Sequence, residues 1–132
     1  MKIEYIFVYG TLKKEFNLPI LKSLQKDLIF IGNGYVFGVL YLVKEYPGLI
    51  LDNSKNSRVY GEVYKIKSQK VLDILDEYEE CSSNFKKPYE YKRVKAKVHL
   101  EDKVLDCWIY EYNWSVENLK VIKSGEYKKF DS

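Results

Sequence analysis

Histidine is nearly absent from the sequence. His99 is the only one, which removes zinc sites built on two histidines and leaves little room for a Ser-His-Asp or Cys-His device. Cysteine is almost as scarce: Cys81 and Cys107 are too few for a disulfide framework and lack metal-ligand spacing, so a reducing, cytoplasmic setting is expected. Neither sign of charge is in large excess, and the net charge of +3 is too small to imply nucleic acid by itself. No long apolar run is present. The longest uncharged stretch, Leu28 to Val43, contains Gly32, Asn33, Gly34 and Gly38. It reads as strands broken by turns and is too short for a membrane span. The start, Met1-Lys2-Ile3-Glu4, runs into a strand pattern without secretory signal architecture.

What remains is the composition of a folded domain. Apolar residues make up 46% and charged residues 31%, enough for one real core, and residues 1–132 are expected to form one domain. Aromatics reach 16%, with thirteen tyrosines, which favours half-buried pleated surfaces with hydroxyl handles near pockets.

Ile3 to Tyr9 has strand character and stops at Gly10. Leu12 to Leu24 is helical at its far end, where Asn17 can cap and Pro19 suits a first turn. Leu28–Ile31 and Tyr35–Val43 read as two strands separated by Gly32-Asn33-Gly34. Tyr46-Pro47-Gly48 reads as a turn, Asp52 to Ser57 as a polar loop, and Val59 to Ile66 as a strand. Ser68 opens the clearest helix, in which Val71, Leu72, Leu75 and Glu79 share one face. Two long strands follow, Tyr89–Leu100 and Val104–Tyr112, joined through Glu101-Asp102-Lys103. Strands dominate without regular alternation with helices, so the fold class is α+β with a mainly antiparallel, barrel-like sheet.

Two features carry candidate chemistry. Asp73, Glu77 and Glu80 lie on the solvent side of the second helix, whereas Glu79 follows the buried stripe inward and falls at the helix C-terminus. The macrodipole there disfavours a negative charge, and burial acts the same way; both raise a carboxyl pKa toward the range useful to a general acid or base. Fraying outwards or pairing with a lysine is the competing account of Glu79. At the first strand end, Gly10 can adopt backbone angles that neighbours cannot, letting the amides of Gly10, Thr11 and Leu12 form an anion-binding nest. Thr11 adds a hydroxyl and Tyr9 a phenol. An ordinary strand-to-loop turn is the alternative. Tyr110 and Tyr112 share a strand face with Trp108 and either wall a pocket or simply pack. Cys107 reads as core and His99 as a surface residue. Arg93 among Lys92, Lys95 and Lys97 could meet single-stranded nucleic acid, or belong to a solvated face.

The segments Val8-Tyr9-Gly10-Thr11-Leu12, Tyr46-Pro47-Gly48-Leu49, Val59 to Tyr64, Leu75-Asp76-Glu77-Tyr78-Glu79, Tyr91-Lys92-Arg93, Trp108-Ile109-Tyr110 and Ser124-Gly125-Glu126-Tyr127 occur in this order. Together they resemble the gamma-glutamylcyclotransferase-like family, including its AIG2-like and gamma-glutamylamine cyclotransferase branches. The resemblance implies a small mixed β-barrel flanked by helices, with the pocket at the barrel mouth. It implies that Tyr9, Gly10, Thr11 and Leu12 bind substrate, with Tyr110 beside them, and that Glu79 is the catalytic acid/base. The implied reaction turns a small gamma-glutamyl compound into 5-oxoproline, with no metal or cofactor and with neither nucleic acid nor membrane as partner. Two departures bear on substrate choice: Glu80 stands where the family commonly has glycine, and Cys81 to Pro88 is longer than in the shortest members. A binding module that keeps the pocket without turnover is the alternative function.

Overall fold

The computed structural model describes residues 3–10, 12–13, 18–54, 56–79 and 87–128. Seven strands and two helices follow in the order β1 (Glu4–Val8), α1 (Pro19–Leu24), β2 (Leu28–Leu42), β3 (Pro47–Leu51), β4 (Arg58–Ile66), α2 (Lys70–Tyr78), β5 (Tyr91–His99), β6 (Val104–Tyr112) and β7 (Lys120–Val121). The sheet runs β3-β2-β4-β1-β6-β5, and a β2–β5 contact at Tyr35 and His99 closes a five-stranded barrel. All pairings are antiparallel except β1 with β6, where Ile6 lies beside Trp108. Strands β3 and β7 extend the barrel outward along β2. The α+β class and the mainly antiparallel barrel read from the sequence are therefore the observed architecture. No described helix is long and apolar enough to cross a membrane.

Period-two alternation separates two apolar layers. Phe7, Tyr9, Val36, Leu40, Val59, Val63, Val98, Cys107 and Ile109 meet inside the barrel. Their sequence neighbours Ile6, Val8, Tyr64 and Tyr110 face out and form a second cluster with Tyr91, Tyr112, Val71, Leu72 and Leu75 of α2, and Leu24 of α1. Burying each of these helix side chains contributes roughly 1.5–3 kcal/mol, which holds α2 in place despite its short length.

Three local expectations are corrected. Gly32-Asn33-Gly34 does not separate two strands: β2 is continuous over fifteen residues, with only a register shift between Phe30 and Gly32. Glycine at position 34 serves close approach, because a Cβ there would lie 2.9 Å from Val98 Cγ1 and 3.0 Å from the His99 carbonyl oxygen. Pro47-Gly48 opens β3 rather than forming a turn, and the hairpin closes earlier through Val43 N–H donating to Tyr46 C=O at 3.0 Å. The N-cap of α1 is Leu18, with no side-chain cap bond and Pro19 in the first turn; Asn17 lies outside the described residues.

Candidate active site

The end of β1 delivers Tyr9 and Gly10 to a cavity of about 430 Å³, within the usual size of a small-molecule site. Leu12, Tyr46, Tyr78, Glu79, Glu90, Tyr91 and Tyr110 also line it. The structure thus brings together five of the sequence-predicted site residues: Tyr9, Gly10, Leu12, Glu79 and Tyr110. Thr11 lies outside the described residues, as do Glu80 and Cys81.

Glu79 reaches the cavity because α2 stops there. Val71, Leu72 and Leu75 bury one face, and the same stripe continues to Glu79, the C-cap, whose N–H donates to Leu75 C=O at 2.8 Å. Glu79 is half-buried, whereas Asp73 and Glu77 are exposed. Its carboxylate acts on the neighbouring phenols. Burial pushes Tyr9 well above the ordinary phenol range, and the Glu79 charge pushes in the same direction. Tyr91 is raised first by burial, then by Tyr9, Glu79, Glu90 and Tyr46. Both phenols therefore hold their protons into more alkaline solution than an ordinary tyrosine does.

The turn differs in one respect from its expected geometry. Gly10 does not occupy the left-handed region; its smallness matters because a Cβ would lie 3.0 Å from Pro47 Cγ. Lys13 N–H donates to Gly10 C=O at 3.0 Å, closing the turn over four residues. Tyr9 is a brace as well as a wall: its hydroxyl donates to Tyr110 C=O at 2.6 Å and accepts from Leu49 N–H at 3.2 Å. This ties the first strand to β6 and β3 at the mouth of the site.

Tyr110 is fixed from a second direction. Its hydroxyl donates to Asp76 Oδ1 at 2.7 Å, and Arg93 Nε lies 3.0 Å from the same oxygen. The Arg93 guanidinium in turn covers the Trp108 ring at 4.6 Å. Tyr112 does not line the cavity; its ring packs over Gly48, where a Cβ would lie 2.7 Å from it. Each basic residue of the suspected stripe faces an acid: Arg93 with Asp76, Lys92 with Glu111 at 3.7 Å, Lys95 with Glu4 at 3.2 Å, Lys97 with Asp106 at 3.1 Å.

Some functional candidates were not visible in the spacing. Tyr46 donates to Glu90 Oε2 at 2.6 Å, and Tyr91 donates to Pro47 C=O at 2.6 Å. These contacts join the β2–β3 hairpin to the start of β5, residues more than forty positions apart in the chain; the only sequence trace was the dense run of tyrosines. His99, expected at the surface, is half-buried and stacked on Tyr35 with ring centres 5.1 Å apart. Cys107 sits inside the barrel, and burial pushes its thiol up to about 12. Among the described residues, no group of three or more His, Cys, Asp or Glu side chains is placed to hold a metal.

The chain belongs to the gamma-glutamyl cyclotransferase, AIG2-like family, whose model matches residues 6–129. Among its relatives, the Methanocaldococcus jannaschii protein MJ1514 is 32% identical in an alignment covering 97% of this chain and 98% of that one. The gamma-glutamylaminecyclotransferase A of Danio rerio is 36% identical over 83 residues, 58% of this chain and 50% of that one. In fold, the crystal structure of an AIG2-like protein from Mus musculus matches with a TM-score of 0.73 at 24% identity, covering 97% of this chain and 90% of that one. Family membership supports a cyclotransferase activity in general terms.

Proposed function

We propose that this protein is a gamma-glutamyl cyclotransferase that converts a small gamma-glutamyl compound into 5-oxoproline and releases an amine or amino acid, with Glu79 as the general acid/base. The observation that carries this reading is that Glu79 lines the same cavity as Tyr9, Gly10 and Leu12. The name of the Danio rerio relative, gamma-glutamylaminecyclotransferase A, supports the same class.

The reaction needs no protein nucleophile. The substrate's α-nitrogen attacks its own γ-carbonyl carbon, a carbon–nitrogen bond forms, and the original amide carbon–nitrogen bond breaks. The α-ammonium must lose two protons to become the lactam N–H, and the departing nitrogen must gain two to leave as an ammonium. Glu79 carries them across, accepting from the attacking nitrogen and donating to the leaving one. Confinement in the cavity holds the chain curled, so the two reacting groups of one molecule meet without a further loss of translational freedom. The turn from Tyr9 to Leu12 holds the α-carboxylate or the developing oxyanion through its amides. Tyr9 and Tyr91, neutral phenols at physiological pH, line the site without adding negative charge.

The test is turnover of a panel of gamma-glutamyl amides and dipeptides, with 5-oxoproline read by mass spectrometry. Product from at least one conjugate is expected. Binding without product across the panel would replace the enzyme with a non-catalytic binding module.

A further inference from the structure

A second cavity, of about 540 Å³, shares no described lining residue with the first. Its floor is one row across three strands: His99 of β5 pairs with Tyr35 of β2, which pairs with Tyr60 of β4. Their chain neighbours Val36, Val59 and Val98 point into the barrel, so the row lies on the outer face of the sheet. Tyr35 stacks on His99 with ring centres 5.1 Å apart and tilts against Tyr60 at 6.1 Å, and Tyr60 remains 40% exposed. In the first cavity the hydroxyls of Tyr9, Tyr46, Tyr91 and Tyr110 are all committed to acceptors in the fold. Here the hydroxyls of Tyr35 and Tyr60 and the side-chain amide of Asn33 make no hydrogen bond among the described residues. They are open to a ligand.

The charges on this wall are held apart in the same way. The Arg58 guanidinium lies over the Tyr35 ring at 4.3 Å and, unlike Arg93, Lys95 and Lys97, has no acid within ion-pair distance among the described residues. A guanidinium held on a ring offers its N–H fork to a carboxylate with little further loss of side-chain freedom. Glu126 belongs to the segment beside Arg58 and Tyr60: Tyr60 N–H donates to Gly125 C=O at 2.7 Å, and Gly125 packs on the Arg58 main-chain carbonyl. Arg58 and Glu126 both line the cavity, yet they do not pair with each other. The other charged groups are less available. Glu62 accepts the Tyr64 hydroxyl at 3.1 Å, Lys13 is buried with its ammonium on the Tyr127 main-chain carbonyl, and Glu101 stands past His99 at the far end of the row. Opposite charges left apart beside an exposed ring match a small ligand that carries both charges and a ring of its own.

We infer that the second cavity is a binding site for a free aromatic α-amino acid, with its carboxylate on Arg58, its ammonium on Glu126 and its ring on Tyr60. The inference is independent of the cyclotransferase reading, because the two cavities share no described lining residue and its test involves no turnover.

His99 is the only histidine in the chain, so its imidazole C–H resonances report on this cavity without ambiguity. Titrating the full chain with L-phenylalanine should shift them to saturation. Two analogues each lack one charge: phenethylamine has no carboxylate, and 3-phenylpropanoate has no ammonium. Each should bind about fivefold more weakly than the amino acid at low salt, as one partly exposed ion pair allows. That advantage should shrink in about 0.5 M salt, which screens such pairs, a readout independent of any variant. In Arg58→Gln, a change at an exposed side chain that leaves the fold intact, L-phenylalanine should bind no better than phenethylamine. No movement of the His99 resonances up to about 20 mM L-phenylalanine would overturn the inference. So would equal affinity for the amino acid and either analogue, or undiminished discrimination in Arg58→Gln. Shifts at the Gly10 amide with His99 unmoved would place the amino acid in the first cavity and overturn it as well.

Discussion

Replacing Asp76 with alanine removes the acceptor shared by two donors on neighbouring strands. Its Oδ1 takes the Tyr110 hydroxyl at 2.7 Å and lies 3.0 Å from Arg93 Nε. The Arg93 and Asp76 side chains are 26% and 18% exposed, so the ion pair is only partly shielded from water and is discounted accordingly. A hydrogen bond to a charged group contributes roughly 1.5–3 kcal/mol, and a partly exposed pair about 1 kcal/mol. Asp76→Ala should therefore cost about 3 kcal/mol, read as a lower urea midpoint with an unchanged slope. Trp108 fluorescence is a suitable probe, since the Arg93 guanidinium lies over its ring. Tyr110→Phe removes only the hydroxyl. In a double-mutant cycle the two changes should be less than additive by about 1.5 kcal/mol, because each already abolishes the same bond. The variants should also weaken substrate binding, since Asp76 orients a wall of the cavity without lining it. Costs that add within about 0.5 kcal/mol would refute the claim that Asp76 fixes Tyr110.

Other predictions follow from space and from protonation. Gly125 has φ of 71°, and a Cβ there would lie 1.8 Å from the Arg58 carbonyl oxygen, so Gly125→Ala should cost more than about 3 kcal/mol. Gly32→Ala, whose Cβ would meet only Leu100 Cδ2 at 3.6 Å, should stay within about 0.5 kcal/mol; similar melting temperatures for the two variants would contradict the packing described. In alkali, Tyr9 and Tyr91 keep their protons in the fold after the unfolded chain has lost its own near pH 10. The unfolded state then binds fewer protons, and stability falls as pH rises above about 10, by up to roughly 1.4 kcal/mol per pH unit for each such phenol. A melting temperature flat between about pH 9 and 11.5 would exclude it. Cys107, with its thiol raised to about 12, should resist alkylation in the native protein near pH 8 and label only on unfolding, followed by peptide mapping.

Much of this molecule was legible because its signals are local. The stripe of Val71, Leu72 and Leu75 defines both α2 and the direction of Glu79, and strand periodicity separates Ile109 inside the barrel from Tyr110 outside. Signals that depend on distant neighbours were not legible. Gly34 reads as a turn residue from its sequence surroundings, yet it is small because β5 passes close by. Pro47 and Gly48 mislead in the same way: β3 begins at the proline, and the glycine makes room for Tyr112. The phenols were visible as a composition, but the destinations of their protons were not. Tyr9 bonds to a residue 101 positions away, and Tyr46 to one 44 away. For Asp76, helical spacing gives no reason to single it out; its role exists only once β5 and β6 bring Arg93 and Tyr110 beneath it.

The central claim is that Glu79 moves the protons of an intramolecular cyclisation. The most direct measurement is the rate of 5-oxoproline release by Glu79→Gln beside the unaltered protein, on the best conjugate of the panel, with melting temperatures recorded for both. The account predicts a kcat lower by about 10²- to 10⁴-fold, the range of general acid–base catalysis, in a variant that melts within a few degrees of the parent and still binds the conjugate. Undiminished turnover by a folded Glu79→Gln protein would contradict it.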